Sequence, residues 1–257
     1  MLPAHPRLIG LYYGELFRDA LFREFFGDSG FANLGYWDEA TGTAAAAGER
    51  LVDEVLALAP GPRGRLLDVA CGEGATTRRL AAREDVEGAT AVNLSLPQLV
   101  ATHRRGAGSP VAAMDACALA FPEASFDTVT CFEAAFHFRT RETFLAEVRR
   151  VLVPGGRLLL SDLLMAPGTP LVPAENRLHA PEAYRRLLET AGFEEVVVRD
   201  ERERIWGGFR RAFTRFVVSN ATWATAAVAW RDLLACNVAC AWAIRHCVLV
   251  AARKPRW

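Results

Sequence analysis

Through the first sixty residues, apolar side chains recur at mixed spacings of three and four, as in LYYGELFRDALFREFF and AAAAGERLVDEVLAL. That is the period of helices with one buried face. Between these stretches, GFANLGYWDEATG reads as a loop by its glycines. From Arg65 the texture changes to short apolar runs separated by amphipathic segments. The runs predict strands over 65–70 (RLLDVA), 89–94 (ATAVNL), 111–114 (VAAM), 126–132 (FDTVTCF) and 157–164 (RLLLSDLL), with helices in the gaps. Alternation of this kind marks βαβ units and a parallel sheet. Two later strands are expected over 194–200 (EEVVVRD) and 246–252 (HCVLVAA). Ser95 is placed as an N-cap with Pro97 in the first turn, while Pro181 opens and Gly192 closes PEAYRRLLETAG. The long polar and aromatic insertion between the last two strands is not needed by the sheet, and such insertions usually serve a site. The chain therefore divides into a helical cap over 1–60 and an α/β domain over 61–257 that carries a lid insertion at about 201–240.

A chain of 257 residues with 51% hydrophobic and 23% charged side chains fits one large globular domain and argues against disorder or a disulfide scaffold. Thirty basic and thirty acidic side chains cancel, which disfavours a nucleic-acid binder that relies on a general positive field and leaves only a local patch open. The opening MLPAHPRLIGLYYGELF lacks a basic region followed by an apolar one, so a cytoplasmic protein is expected. The apolar tract 221–251 is interrupted by Arg231, Asp232, Arg245 and His246, leaving runs too short to cross a bilayer. Six unevenly spaced cysteines read as small buried thiols of a reducing compartment. Cys236 and Cys240 lie four apart with His246 behind them, but LACNVACAW offers no second ligand pair, so no metal is expected.

The first strand ends in DVACGEGATT, where Gly72 and Gly74 turn into a helix. Open α/β sheets bind ligands at that edge, although a lone G-x-G turn is equally a tight strand-to-helix connection. Charge selects the ligand. A pyrophosphate on this helix N-terminus would meet Asp68 and Glu73, and the acidic ribose residue expected roughly 20 positions further on is missing because the second strand ends at Asn93. S-adenosylmethionine carries no phosphate and has a positive sulfonium and ammonium, which neighbouring carboxylates favour. Methyl transfer is thus preferred to hydride transfer.

The segments LLDVACGEG, MDACALAFPEASFDTV and FLAEVRRVLVPGGRLLLSD, in this order and spacing, resemble the class I S-adenosylmethionine-dependent methyltransferases from about Gly35 to the C-terminal AARKP. GYWD, VNLSLPQL and FEAAFHF are similar to the small-molecule branch that acts on sugars and other natural products. The resemblance implies a Rossmann-like class I methyltransferase fold, α/β with a mostly parallel seven-stranded sheet and a helical cap. It implies S-adenosylmethionine as cofactor and S-adenosylhomocysteine as product. Position by position it sets Asp68, Ala70, Gly72 and Gly74 around the methionine moiety, with Ala70 where the family usually has glycine. Asn93 and Leu94 would flank the ribose and adenine with Gln98 close by, and Asp115 and Ala116 would hold the adenine amino group, a donor that suits a carboxylate. Glu133 would lie near the sulfonium, the alternative being a surface glutamate after a strand. The N-terminal segment and GYWD would fold over the cofactor, so that Tyr13, Tyr36 or Trp37 reaches it.

FEAAFHF leaves His137 among aromatic rings, as either a core histidine with one satisfied hydrogen bond or a base. It follows the fourth strand, at the edge where the transferable methyl should point. A hydroxyl acceptor is a poor nucleophile until its proton is removed, and imidazole can remove it near neutral pH. Asp162, in the fifth strand, reaches the same edge, and the resemblance pairs His137 as general base with Asp162 as its orienter. His179 reads as a solvated loop residue, and His5, His103 and His246 have no supporting neighbours. The insertion interleaves Arg204, Arg210, Arg211 and Arg215 with Trp206, Phe209, Phe213 and Phe216. This pattern suits an amphipathic helix with its arginines in water, which is preferred, the roof of an apolar acceptor pocket, or RNA contact by stacking and phosphate pairing. The expected activity is O-methylation of a small natural-product-like acceptor. N- or C-methylation, a cyclase-like use of the cofactor without methyl transfer, an RNA methyltransferase and a non-catalytic cofactor sensor are the alternatives. Neither a nucleic-acid nor a membrane partner is expected, and a homodimer is compatible with the sequence.

Overall fold

In the computed structural model, residues 20–105, 108–170, 172–220, 230–231 and 233–257 are described. Among the described residues, the α-helices α1 (Ala20–Phe26) and α2 (Ala44–Ala57) precede the sheet. Seven strands follow: β1 (Gly64–Val69), β2 (Val86–Asn93), β3 (Val111–Ala113), β4 (Phe126–Phe132), β5 (Leu152–Met165), β6 (Glu194–Asp200) and β7 (Ile244–Arg253). The helices between them are α3 (Ala75–Ala81), α4 (Leu96–Arg104), α5 (Arg141–Val151), α6 (Pro181–Thr190) and α7 (Gly208–Asn220). Part of the N-terminal helical expectation, with Tyr12, Tyr13 and Phe17, lies outside the described residues, as do 221–229 of the insertion.

The strand order is β3-β2-β1-β4-β5-β7-β6, with only β7 antiparallel to its neighbours. The order reverses between β1 and β4, which opens a crevice beyond the carboxyl end of β1. Leu66, Leu67, Val69, Val129, Leu158, Leu159 and Leu160 are fully or almost fully buried, as expected of strands covered on both faces. On one face Leu66, Leu159, Leu163 and Leu249 pack against α2, through Leu51, Val52 and Val55, and against the insertion. On the other, Leu67, Leu160, Val248 and Val250 meet Phe144 and Val148 of α5 and Tyr184 and Leu188 of α6.

Three local expectations need correction. Strand β5 begins at Leu152 rather than 157, because Gly155 takes φ +79° and lets the chain irregularly continue its pairing from Phe126↔Leu152 to Thr128↔Arg157. Strand β7 likewise begins earlier, at Ile244. Ser95 is the N-cap of α4, with Pro97 in the first turn, but its side chain makes no capping bond; its carbonyl accepts from Leu99 N–H, while Asn93 Oδ1 takes the N–H of Leu94 at 2.8 Å. Pro181 does open α6, and Gly192, at φ +83°, closes it.

The insertion and the N-terminal segment form one aromatic cap. Phe25 packs edge-on against Phe209 and Phe213 with ring centroids 5.6 and 5.2 Å apart, and Trp37 and Trp206 join the same cluster. A side chain at Gly208 would come within 2.3 Å of Trp37 Cβ, so the contact requires glycine there. Trp206, Phe209 and Phe213 are buried, whereas Arg204, Arg211 and Arg215 are exposed. The amphipathic-helix reading describes this element. Among the described residues, no helix is long and apolar enough to cross a membrane.

Candidate active site

The β1-α3 turn is built on left-handed backbone. Ala70, Gly72 and Gly74 have φ of +58°, +57° and +82°. A Cβ on Gly74 would lie 2.5 Å from Thr102 Cγ2, whereas one on Gly72 would meet nothing within 4 Å, so Gly72 borders open space. Thr102 Oγ1 donates to the Gly72 and Gln98 carbonyls at 3.1 and 2.9 Å, pinning the turn to α4. Ala70 adopts the same left-handed region with a Cβ, at a cost of about 1–2 kcal/mol.

Beneath the turn, Asp68 is 1% exposed and its two oxygens accept from Thr77 Oγ1 at 2.6 Å and Thr130 Oγ1 at 3.0 Å. Burial raises its pKa to about 6 against the opposing effect of these two hydroxyls. Asp68 therefore braces the turn from inside. Glu73 is paired with Arg105 at 2.9 Å. The charge argument that treated both carboxylates as available to a ligand is corrected by these contacts: one is under the loop and the other is partnered.

The remaining expected cofactor residues ring the same edge. Asn93, at the end of β2, donates to Gln98 Oε1 at 2.8 Å, and Leu94 is exposed beside it. After β3, Asp115 Oδ1 accepts the N–H of Cys117 at 2.8 Å, which fixes its carboxylate, and Ala116 is buried. Trp37 points into the aromatic cap, its indole N–H donating to Leu34 O at 2.8 Å. Tyr13 lies outside the described residues.

Glu133 follows β4 with φ +48°, and its N–H still bonds to Ser161 O at 2.8 Å. The kink turns the chain out of the sheet and directs the side chain to the cap, where Oε2 accepts Leu34 N–H at 2.9 Å. The other oxygen, Oε1, is shut from solvent with no hydrogen-bond partner. Burial pushes this carboxyl up to about 8, opposed by the Leu34 N–H and reinforced by the charge of Asp162. Arg78 and Arg105 hold the same cap segment, donating to Ser29 O at 2.8 Å and Asp28 O at 2.7 Å.

His137 closes the short turn Ala135–His137 that follows, its ring 3.9 Å from that of Phe136. Asp162 lies in β5, 1% exposed, and accepts four hydrogen bonds. Oδ1 takes the N–H groups of Phe136 at 3.1 Å and Leu163 at 2.8 Å. Oδ2 takes Arg141 Nε at 2.7 Å and Tyr184 Oη at 3.0 Å. Four donors fill the lone-pair positions of a carboxylate. Of these contacts, the one from Phe136 N–H ties Asp162 to the turn that carries His137.

Arg141, Tyr184 and Asn176, which complete this network, were not found by sequence reasoning. Arg141, at the start of α5, is 2% exposed. The thiols Cys236 and Cys240 are both raised by burial, and His246 pairs instead with Asp200 at 2.6 Å. Among the described residues no group of three or more His, Cys, Asp or Glu side chains could hold a metal ion.

A methyltransferase-domain family profile matches residues 67–160. The chain is 33% identical over 193 residues to the O-methyltransferase cnsE of Penicillium expansum, covering 68% of this chain and 70% of that protein. The chain belongs to the small-molecule S-adenosylmethionine-dependent methyltransferases. Over 140 residues it is 36% identical to the 27-O-demethylrifamycin SV methyltransferase of Amycolatopsis mediterranei, spanning about half of each chain (52% and 51%). In fold, this methyltransferase matches the crystal structure of the [4+2]-cyclase SpnF with a TM-score of 0.76 at 24% identity, across 98% of this chain and 97% of that one.

The cofactor of the family is S-adenosylmethionine, and the residues fit it. Gly72 gives open backbone at the edge of β1, and the unpartnered Glu133 Oε1 is a buried acceptor that a cationic group would satisfy. When bound, the cofactor supplies an electrophilic methyl group on a sulfonium.

Proposed function

We propose that this methyltransferase transfers its methyl group to a hydroxyl of a small, natural-product-like molecule, with His137 as general base. The observation that carries the reading is the fixed turn Ala135–His137 at the carboxyl edge of β4, four residues past Glu133, in a chain whose relatives include O-methyltransferases at 33% identity. His137 takes the hydroxyl proton as the oxygen attacks, and Asp162 holds the turn that carries the imidazole. Gly72, Gly74, Asn93, Leu94, Gln98, Asp115 and Ala116 form the cofactor's bed, with Asp68 and Ala70 shaping the turn. Glu133, with its unpartnered Oε1, would face the cofactor's positive charge. Relatives such as the 27-O-demethylrifamycin SV methyltransferase favour a natural-product acceptor.

The test is methyl-labelled S-adenosylmethionine with a panel of phenolic, sugar-bearing and amine metabolites. Label in an O-methyl product supports the reading, and label on nitrogen or carbon overturns it. With the acceptor in hand, His137→Ala should lower kcat by roughly 10²–10⁴. A variant that keeps most of its turnover refutes the assignment of the base. The second reading, a cyclase-like use of the fold, draws on the full-length match to SpnF and predicts substrate conversion with no label transferred.

A further inference from the structure

The loop after β5 ends in a short turn, Ala174–Asn176, and Asn176 is 2% exposed. Its amide nitrogen lies 2.8 Å from Ala135 O, 3.1 Å from Phe136 O and 2.9 Å from Phe138 O. Three carbonyls thus share two amide hydrogens, and all three belong to the turn that carries His137. The amide oxygen faces the other way and accepts the backbone N–H of Arg141 at 2.7 Å, at the start of α5. Arg141 closes the circuit, since its guanidinium donates to Asn176 O, to Leu163 O and to Asp162.

We propose that Asn176 is a positioning residue for His137, a latch by which the loop after β5 fixes the orientation of the proposed base. The inference rests on His137 as base for its catalytic meaning, but the geometry it asserts is separate. Without the amide, the carbonyls of Phe136 and Phe138 lose this donor, and Ala135 O keeps the Phe138 N–H. The backbone of the turn contributes His137 N–H to Ala134 O at 2.9 Å and Phe138 N–H to Ala135 O at 3.2 Å, and Asp162 takes the Phe136 N–H. The described residues of the loop after β5, 166–170 and 172–180, follow its carboxyl end. Anything that shifts this loop would therefore shift His137 with it.

The test uses full-length protein labelled at the imidazole carbons and observed by NMR. The chain has five histidines, and His137→Ala assigns the signal of interest. In Asn176→Ala the His137 resonance should split or broaden and its titration midpoint should move by about half a pH unit or more, while the other four signals stay in place. Tyr184→Phe, which removes one donor to Asp162 without touching the turn, is the control and should leave the signal sharp. If Asn176→Ala does not fold, Asn176→Asp keeps the size and the acceptor for Arg141 N–H while removing the amide donors, and the same perturbation is expected. An unchanged His137 signal and midpoint in a folded Asn176 variant would overturn the proposal. Retained methyl transfer in His137→Ala would instead sink the base and leave the latch standing, so the two failures are distinct.

Discussion

Glu133→Gln isolates a carboxyl that the fold keeps under the cap with an unpartnered oxygen. Glutamine preserves the volume and an oxygen to accept the Leu34 N–H, and removes only the ionisation. The carboxyl titrates at 4.5 in a model peptide and at about 8 in the folded protein, its burial being the main cause. Between those values the folded chain holds a proton that the unfolded chain has released. The associated stability is fully present below 4.5 and is lost as pH rises toward about 8, at a slope of up to ~1.4 kcal/mol per pH unit. The ceiling over the whole window is about 5 kcal/mol. Urea unfolding of both proteins without cofactor, at intervals from pH 5 to 9, should show the variant gaining on the wild type by at least about 1 kcal/mol between pH 6 and 8, with the gap levelling above. Cofactor binding supplies the second arm. A sulfonium near Oε1 favours the ionised carboxyl, so wild-type affinity for S-adenosylmethionine should rise with pH up to about 8. S-adenosylhomocysteine, which lacks the sulfonium, should show a shallower rise, and Glu133→Gln should abolish the difference. A stability gap independent of pH, together with parallel pH profiles for the two ligands, would refute the reasoning.

Three further outcomes follow from the turn and the buried network. Ala70→Gly relieves a left-handed alanine at φ +58° and should stabilise the protein by about 0.5–1 kcal/mol in thermal or urea unfolding, with cofactor binding retained. Gly74→Ala drives a Cβ to within 2.5 Å of Thr102 and should weaken S-adenosylmethionine binding at least tenfold by calorimetry; binding at wild-type affinity would contradict the packing of the turn on α4. Asp162→Ala leaves the buried Arg141 guanidinium without its carboxylate and should destabilise the fold by about 3–5 kcal/mol. A loss under 1 kcal/mol in that variant would show that water reaches Arg141.

Much of the site's address was legible in the chain. Apolar runs at 65–70 and 126–132 fixed β1 and β4, and the glycines after β1 marked the crevice between them. Gly72 and Gly74 could be read because left-handed backbone leaves a compositional trace. Ala70 left none: nothing local says that an alanine will adopt φ +58°. Glu73 and Asp68 were legible as acids, but whether an acid faces a ligand depends on Arg105 and on Thr77 and Thr130, which come from other elements.

The sequence by itself determined the alternation of strands and helices, the glycine turn, and the presence of Glu133 and His137 just past β4, because periodicity and turn chemistry act over a few residues. Only the tertiary structure decided what those residues meet. Glu133 owes its raised pKa to burial that exists only in the packed chain, set against the opposing N–H of Leu34, 99 positions away. His137 owes its fixed turn to Asp162 and to Asn176, whose contacts span 26 to 41 positions. Such partners are chosen by the order β4-β5 in the sheet and by the loop that returns beside it. A carboxylate or amide carries no local sign of which distant backbone groups it will satisfy, and burial, which sets both the cost of leaving them unsatisfied and the shift of their pKa values, exists only once the chain has packed.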